Sequence, residues 1–271
     1  MELDDIARRG LVLLGCGKMG SALLQGWLAA KVPRDAVTVL DPAPSEWLRA
    51  QGVRLNSRPP AEPAVLVLAV KPQMMEAALP QVAGFGGGKT LVISIAAGTP
   101  LARFEAAFGA ATPVIRVMPN TPAAVGRGIS ALVGNAAATP AHLDLAQALM
   151  AVVGQVVRLD SESQIDAVTA VSGSGPAYVF HMVEALAAAG EAEGLAPALA
   201  MQLARATVAG AGALLDAAPE DAATLRRNVT SPAGTTEAAL AVLMDADTGL
   251  PPLLARAVHR ARIRSEELSR D

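Results

Sequence analysis

Charged and aromatic residues are scarce in this chain of 271 residues. Aspartate, glutamate, lysine and arginine together make up 17% of the residues, and phenylalanine, tryptophan and tyrosine make up 3%. The formal net charge is -3, and no block of basic residues occurs. Because nucleic acids are bound through basic surfaces and aromatic stacking platforms, these scarcities argue against a nucleic-acid partner.

Cysteine is nearly absent, since Cys16 is the only one. No internal disulfide is possible, which fits a reducing compartment. Cys16 is either a reactive thiol near a helix start or, as we favour, a small residue in a tight turn. The first ten residues, MELDDIARRG, lack the apolar segment of a signal peptide.

Long uninterrupted apolar runs are also missing, because each alanine-rich segment carries charged or polar residues. We therefore expect a cytoplasmic protein with no membrane partner. The three histidines have no neighbours at the spacing of metal ligands, so we predict no metal site.

A glycine-rich segment follows the first apolar run, Leu11–Leu14. It consists of Gly15, Cys16, Gly17, Lys18, Met19 and Gly20. The next segment, SALLQGWLAA, has the apolar spacing of a helix, and G-x-G-x-x-G between strand and helix indicates dinucleotide binding. Gly15 permits the turn, Gly17 lets the backbone approach a pyrophosphate, and Gly20 allows close packing of helix and strand. The helix start offers N–H groups to phosphates.

An acidic residue, Asp41, follows the second predicted strand, Val37–Leu40. A carboxylate there normally accepts hydrogen bonds from the adenosine ribose of NAD and repels the extra phosphate of NADP. No arginine follows directly, although Arg49 and Arg54 are near in sequence. The alternative is that Asp41 only starts an Asp-Pro turn. The sequence leaves the choice between NADH and NADPH open.

Further apolar runs predict more strands. They are Val65–Val70, Leu91–Ile95, Val114–Met118, Ile129–Val133 and Val152–Val157. Because strands alternate with helix-like segments, we predict an α/β fold with a Rossmann-type, doubly wound, mostly parallel sheet. Ligands bind at the carboxyl ends of such strands. The loops Ala69–Pro72, Ser94–Gly98 and Met118–Pro122 fall at those ends.

The pattern changes near Leu159, where helical periodicity replaces strand-like runs. We predict an NAD(P)-binding domain over residues 1–159 and an all-α domain over residues 160–271. The segments Pro176–Glu193 and Ala198–Leu215 are apolar around most of the helix circumference. A helix of this kind is buried in a core or against another subunit. We therefore expect the helical domain to form an intertwined dimer.

Two motifs interrupt the helical part of the chain. Ala170–Tyr178 reads AVSGSGPAY, and Asn228–Thr236 reads NVTSPAGTT. The second motif places hydroxyl groups and free backbone N–H groups at a helix start, which suits an anion such as a carboxylate. The alternative is an ordinary helix cap after a Ser-Pro turn.

Together these segments resemble the pyrroline-5-carboxylate reductases, the last enzymes of proline synthesis. The matching runs are GCGKMG, LAVKPQ, MPNTP, SGSGPAY and TSPAGTT, in the family's order and with similar spacing. The resemblance covers nearly the whole chain. Ala233 stands where the family usually has glycine, and Asp41 lacks a following arginine.

The resemblance implies an N-terminal Rossmann domain, a C-terminal dimerisation domain, and an active site between one subunit's nucleotide domain and the helices of the dimer. It implies hydride transfer from NADPH or NADH to the C=N carbon of L-1-pyrroline-5-carboxylate, which gives L-proline. Family members form homodimers and often assemble further into rings of dimers.

The resemblance also implies roles for residues. The Ser231 hydroxyl and the N–H groups of Thr235 and Thr236 would hold the substrate carboxylate, and the Thr236 hydroxyl would face the ring nitrogen. Besides the glycine-rich segment and Asp41, the implied cofactor-binding residues are Ala69, Val70, Lys71, Pro72, Ala96, Ala97, Asn120 and Asn228. Lys71 is either a charge near phosphate or substrate, or the solvated end of a strand.

Three alternatives stay open. A related imine reductase shares the same chemistry. A β-hydroxyacid dehydrogenase usually carries a lysine general acid on the long helix after the nucleotide domain, and neither Pro176–Glu193 nor Ala198–Leu215 contains a lysine. A non-catalytic NAD(P)-binding regulator would need no TSPAGTT loop and would usually carry a DNA-binding segment, which we do not find.

Overall fold

A computed structural model describes residues 3–270 of the chain. The chain divides into two compact units. One comprises residues 3–173 together with 262–270, and the other is Ser174–Ala261. We call them the sheet unit and the helical unit. The functional boundary at residue 159, which rests on the change in periodicity, stays a prediction.

The sheet unit contains an eight-stranded sheet. Its strands are β1 Leu11–Leu14, β2 Val37–Leu40, β3 Arg54–Leu55, β4 Val65–Leu68, β5 Leu91–Ser94, β6 Val114–Met118, β7 Gly128–Gly134 and β8 Gly154–Arg158. Their order is β3-β2-β1-β4-β5-β6-β7-β8, and every pair is parallel except β6 with β7. The predicted Rossmann-type fold is confirmed. The order reverses between β1 and β4, where such sheets bind ligands.

Helices cover both faces of this sheet. They are α1 Leu3–Arg9, α2 Lys18–Ala29, α3 Glu46–Arg49, α4 Pro72–Ala78, α5 Leu101–Phe108, α6 Pro140–Ala151 and α7 Ile165–Val168. One buried apolar cluster includes residues of α2 and α6, and a second includes residues of α4 and α5. Trp27 on α2 is buried, and its Nε1–H donates to the Leu149 carbonyl (2.8 Å). Since β1, β4 and β5 are buried on both faces, they read as continuous apolar runs.

Some local predictions were wrong in detail. β4 ends at Leu68 rather than Val70, because the chain leaves the ladder there and Lys71 begins α4 as its N-cap. The start of the predicted helical part is not one continuous helix, because residues 162–173 form a 3-10 turn, α7 and a π-helical turn, Thr169–Gly173. The Met118 side chain packs closely against this turn, since a Cβ on Gly173 would lie 2.5 Å from the Met118 Cε.

The helical unit consists of five helices in the described part of the chain. They are α8 Gly175–Ala192, α9 Pro197–Ala217, α10 Ala222–Asn228, α11 Thr235–Leu243 and α12 Leu250–Arg270, whose last part belongs to the sheet unit. α8 packs closely on α9, since a Cβ on Gly190 would lie 3.3 Å from the Ala200 Cβ. Many of their large apolar side chains are exposed in the single chain, among them Phe180 (63%) and Leu203 (48%).

One helix, α9, bears on the expectation that the protein has no membrane partner. By length and composition α9 could cross a membrane, with a mean hydropathy of 1.4. Arg205 and Asp216 are the charged residues within this helix. Core and interface helices of proteins outside membranes pass the same test, so the observation alone assigns no location to α9.

Candidate functional site

The glycine-rich segment forms the turn between β1 and α2. Gly15 has a φ of 86°, and its N–H donates to the Leu40 carbonyl at the end of β2 (2.8 Å). A Cβ on Gly15 would lie 3.0 Å from the Ala69 carbonyl oxygen, and one on Gly20 would lie 2.7 Å from the Gly15 carbonyl oxygen. These two glycines therefore fit the roles expected of the tight turn and of close helix packing.

Gly17 differs from its neighbours because it faces open space. Apart from its chain neighbours and the backbone of its own helix, no described residue has an atom within 4 Å of the position that a Cβ on Gly17 would take. Gly17 is the N-cap of α2, with no side-chain cap and no acidic residue in the first turn. The first N–H groups of a helix lack intrahelical partners and attract anions. The segment thus fits a pyrophosphate.

Asp41 ties the end of β2 to the glycine-rich segment. Its Oδ2 accepts a hydrogen bond from the Cys16 N–H (2.7 Å), and its Oδ1 accepts one from the Ala43 N–H (2.8 Å). Asn56 bonds to the Asp41 backbone through both of its side-chain polar atoms. Asp41 therefore does start a turn. Each carboxylate oxygen still has capacity for a further hydrogen bond, as ribose binding would require.

A cleft of about 620 Å³ opens beside these two segments. It is lined by Cys16, Gly17, Lys18, Ser21, Ala22, Gln25, Asp41, Ala43, Ser45, Trp47 and Ala124. Within it, burial raises the pKa of the Cys16 thiol, and the Asp41 carboxylate adds to the rise. Since the thiolate is the reactive form, this burial accords with the expectation that Cys16 is a small residue of the turn.

The loops after β4 and β5 lie at the same edge of the sheet. The Ala69 N–H donates to the Leu14 carbonyl (2.8 Å), and the Ile95 N–H donates to the Leu68 carbonyl (3.0 Å). Ala96 is buried, whereas Ala97 and Lys71 are exposed. Val70 is half-buried, and Pro72 occupies the first position of α4. These predicted cofactor residues therefore lie in the loops at the carboxyl ends of β4 and β5, as expected.

Asn120 uses its amide to join the loop after β6 to other elements. Its Oδ1 accepts from the Ile129 N–H (2.9 Å), and its Nδ2 donates to the Ser172 carbonyl (3.2 Å) in the π-helical turn. Single π-helical turns are frequent at functional sites. The geometry gives Asn120 a structural role, and its contact with a cofactor stays a prediction.

The TSPAGTT motif forms a tight turn before α11 in the helical unit. The Gly234 N–H donates to the Ser231 carbonyl (3.0 Å), which closes a four-residue turn around Pro232 and Ala233. Ala233 has a φ of 56°, a value that favours glycine. This explains why glycine is usual at that position in the family that the chain resembles. The Ser231 side chain is exposed beside the turn.

α11 begins directly after this turn, with Thr235 and Thr236 as its first two residues. The first N–H bonded within the helix is that of Ala238, which donates to the Gly234 carbonyl (3.2 Å). The N–H groups of the two threonines are therefore in the position that suits an anion. The Glu237 carboxylate accepts from the Ala233 N–H (2.7 Å) and so holds the turn.

The predicted residues thus form two groups, each within one unit. The cofactor candidates from Gly15 to Asn120 lie at the carboxyl edge of the sheet. Asn228, at the end of α10, belongs with Ser231, Thr235 and Thr236 in the helical unit. In residues 3–270, no group of three or more His, Cys, Asp or Glu side chains is arranged to hold a metal ion.

Sequence reasoning missed Trp47 and Glu237 as parts of these groups. Glu237 had a detectable signal, since a glutamate in the first turn of a helix commonly bonds back to a preceding N–H. The signal for Trp47 was weaker, because its short distance from Asp41 in the sequence was the only sign that it could belong to the cofactor site.

Comparison with known proteins gives consistent matches over nearly the whole chain. A profile described as pyrroline-5-carboxylate reductase dimerisation matches residues 162–268, and one described as coenzyme F420-dependent NADP oxidoreductase matches residues 10–98. The pyrroline-5-carboxylate reductase of Pseudomonas aeruginosa is 40% identical over 265 residues, or 96% of each chain.

Two solved structures extend this likeness. A pyrroline-5-carboxylate reductase from Coxiella burnetii superposes with a TM-score of 0.90 at 33% identity, covering 96% of this chain and 98% of its own. The Plasmodium falciparum pyrroline carboxylate reductase with NADP bound has a TM-score of 0.81 at 26% identity, covering 97% and 99%.

Proposed function

The chain belongs to the pyrroline-5-carboxylate reductase family, and from this premise we propose that it reduces L-1-pyrroline-5-carboxylate to L-proline with NADPH or NADH. One observation carries the proposal. The same chain contains a sheet edge whose glycine-rich segment fits a dinucleotide and a TSPAGTT turn whose helix start fits a carboxylate. This reaction is the last step of proline biosynthesis.

The sheet unit supplies the residues for the cofactor. Gly15, Gly17 and Gly20, with the start of α2, would hold the pyrophosphate, and Asp41 would meet the adenosine ribose. The loops after β4 and β5 would line the nicotinamide. When bound, NADPH or NADH supplies the hydride. The chain's own contribution is to fix the orientation of the donor.

The helical unit supplies the residues for the substrate. The N–H groups of Thr235 and Thr236, with the Ser231 hydroxyl, would hold the substrate carboxylate, because a helix start attracts anions. The Thr236 hydroxyl would hydrogen-bond the ring nitrogen. Asn228 would approach the cofactor.

This residue set fits the chemistry of a cyclic imine. Once protonated on nitrogen, the imine is already an electrophile, so the site needs no strong catalytic acid. The main requirement is the orientation of hydride donor and acceptor. Accordingly, hydroxyl and backbone N–H groups dominate the TSPAGTT turn, and its one acidic neighbour, Glu237, is engaged by the Ala233 N–H.

The helical part of the chain is a dimerisation domain, and the chain therefore self-associates. We further propose a homodimer that buries the exposed apolar faces of α8 and α9, assembly of dimers into a ring, a cytoplasmic location, and no nucleic-acid or membrane partner. The functional domains would be residues 1–159 and 160–271. Sedimentation that detects a stable, active monomer at micromolar concentration would contradict the dimer.

The direct test is an assay of proline formation from pyrroline-5-carboxylate, with NADH and NADPH compared side by side. We expect proline with at least one of them. A related imine reductase would instead prefer another cyclic imine, and a non-catalytic regulator would bind the dinucleotide without turnover. Either result would overturn the proposal.

A further inference from the structure

The two tryptophans of the chain lie in opposite environments. Trp27 is 1% exposed and its indole N–H is bonded to Leu149. Trp47 is 36% exposed, although a large aromatic side chain gains most when it is buried. Burial in the sheet-unit core explains Trp27, whereas the position of Trp47 calls for another explanation.

Trp47 is one wall of the cleft that also contains the glycine-rich segment and Asp41. Its helix, α3, is stabilised by contacts within the sheet unit. Ser45 caps α3 by accepting the Leu48 N–H (3.2 Å), and Leu48 is buried beneath the helix. The Gln51 amide donates to the Trp47 carbonyl (2.8 Å).

The loop that leads to Trp47 is also joined to the phosphate-binding segment. Asp41 bonds to the Cys16 N–H on one side and to the Ala43 N–H on the other. Pro42 and Pro44 restrict the backbone between Asp41 and Ser45. The backbone that leads to Trp47 is therefore joined to the segment that would bind the pyrophosphate.

We propose that Trp47 stacks on the adenine base of the dinucleotide and is a binding determinant of the cofactor. This inference rests on the proposed function, because it takes the glycine-rich segment as the pyrophosphate site. Asp41 and Trp47 line the same cleft, so a base attached to a ribose at Asp41 would lie in the cleft that Trp47 borders. Aromatic faces stack on nucleobases, and the exposed indole provides such a face.

The test uses ADP-ribose, which carries the adenine, and nicotinamide mononucleotide, which does not. ADP-ribose should change the fluorescence of the native protein by contact with Trp47, and nicotinamide mononucleotide should leave it unchanged. Trp47→Leu keeps an apolar side chain but removes the flat aromatic face. By calorimetry it should bind ADP-ribose about tenfold more weakly. Trp47→Phe should keep most of the affinity.

Glu46→Ala is the matched control, because Glu46 lies on the same short helix but outside the cleft lining. It should bind ADP-ribose as the native protein does. Equal affinity of native protein and Trp47→Leu, or a fluorescence change that persists in that variant, would overturn the stacking. If Trp47→Leu binds ADP-ribose as the native protein does and still forms proline, the stacking proposal fails but the proposed function stands. A native protein that binds no dinucleotide would overturn both.

Discussion

At the residue scale, the proposed chemistry depends most on the Thr236 hydroxyl. Thr236→Val keeps the shape of the side chain and removes the hydrogen-bond partner of the ring nitrogen. A lost hydrogen bond to a charged group costs roughly 1.5–3 kcal/mol, so kcat/KM should fall by about one to two orders of magnitude. Affinity for the dinucleotide should change little, because most of the proposed cofactor residues lie in the sheet unit.

Thr235→Val is the control for this prediction. We assign the role of Thr235 to its backbone N–H, which valine retains, so activity should stay near the native value. Equal losses from the two substitutions would show that the hydroxyl assignment is wrong. Full activity of Thr236→Val would direct the search for the nitrogen partner to Tyr178 or a bound water.

Substitution of Asp41 tests the preference between NADH and NADPH. Two unit charges about 4 Å apart near a protein surface interact by up to ~4 kcal/mol, so removing this carboxylate should favour the extra phosphate of NADPH. Asp41→Ser should therefore lower the ratio of kcat/KM for NADH to that for NADPH. The ratio is the informative quantity, because loss of the bonds to Cys16 and Ala43 should weaken both cofactors together.

Asp41→Asn separates the two roles of this residue. Asparagine removes the charge but keeps a side-chain acceptor for one of the two N–H groups. It should shift the ratio as serine does, with a smaller loss of overall affinity. An unchanged ratio in both variants would assign Asp41 to the turn alone.

Ala233 is a strained position in the substrate turn. A left-handed conformation costs an L-residue roughly 1–2 kcal/mol, and glycine would relieve this strain in the folded protein. Glycine also raises the entropy of the unfolded chain, which lowers the stability by about 0.4–1 kcal/mol. Ala233→Gly should therefore raise the free energy of unfolding by up to about 1 kcal/mol, measured by urea denaturation. Ala239→Gly, within α11, is the control and should lower it by about 1 kcal/mol. Similar destabilisation by both would mean that residue 233 is unstrained.

At the element scale, a buried ion pair joins three segments of the sheet unit. Arg116 on β6 lies with its Nη1 2.7 Å from the Glu162 Oε1, and the side chains are 5% and 32% exposed. The same oxygen accepts the Leu101 N–H at the start of α5 (2.9 Å). Glu162 therefore neutralises a buried guanidinium and caps a helix.

Glu162→Ala should destabilise the protein by about 3 kcal/mol, because breaking a buried pair leaves an unpaired charge in the core. Thermal or urea denaturation measures the loss. Arg116→Met combined with Glu162→Ala should recover part of it, since no charge is then left buried. The control, Glu267→Ala, breaks an exposed pair with Arg264 and should cost less than about 1 kcal/mol. Equal losses at Glu162 and Glu267 would contradict a buried pair.

The elements also show where the sequence is informative. Strands buried on both faces, such as β1 and β6, were predicted with correct bounds because burial produces continuous apolar runs. β3 was missed, since a two-residue strand has no periodicity to detect. The π-helical turn was missed because it has no periodicity to detect, and Met118, which packs against Gly173 in this turn, is distant in sequence. The local pattern of apolar residues therefore predicts the strands of the sheet, whereas irregular turns depend on contacts between distant residues.

The candidate site follows the same division. The glycine-rich segment and the TSPAGTT turn are contiguous, so their residues could be assigned from sequence. Trp47 and the bond from Asp41 to Cys16 depend on how separate loops meet at the sheet edge, and only the structure reveals them.

At the scale of the whole molecule, exposed apolar side chains on α8 and α9 accord with the dimerisation domain to which they belong. Contiguous exposed apolar surface of this kind marks protein interfaces. Within α8 and α9, scarce charge and abundant alanine accord with helices that pack against another copy.

The central claim is direct hydride transfer to the imine carbon, and isotope transfer tests it. The native protein is incubated with pyrroline-5-carboxylate and with NADPH or NADH in which both C4 hydrogens of the nicotinamide are deuterium. Mass spectrometry of the product should find proline with one deuterium on the ring carbon that had formed the C=N bond. Unlabelled proline, or no proline with either cofactor, would contradict the account.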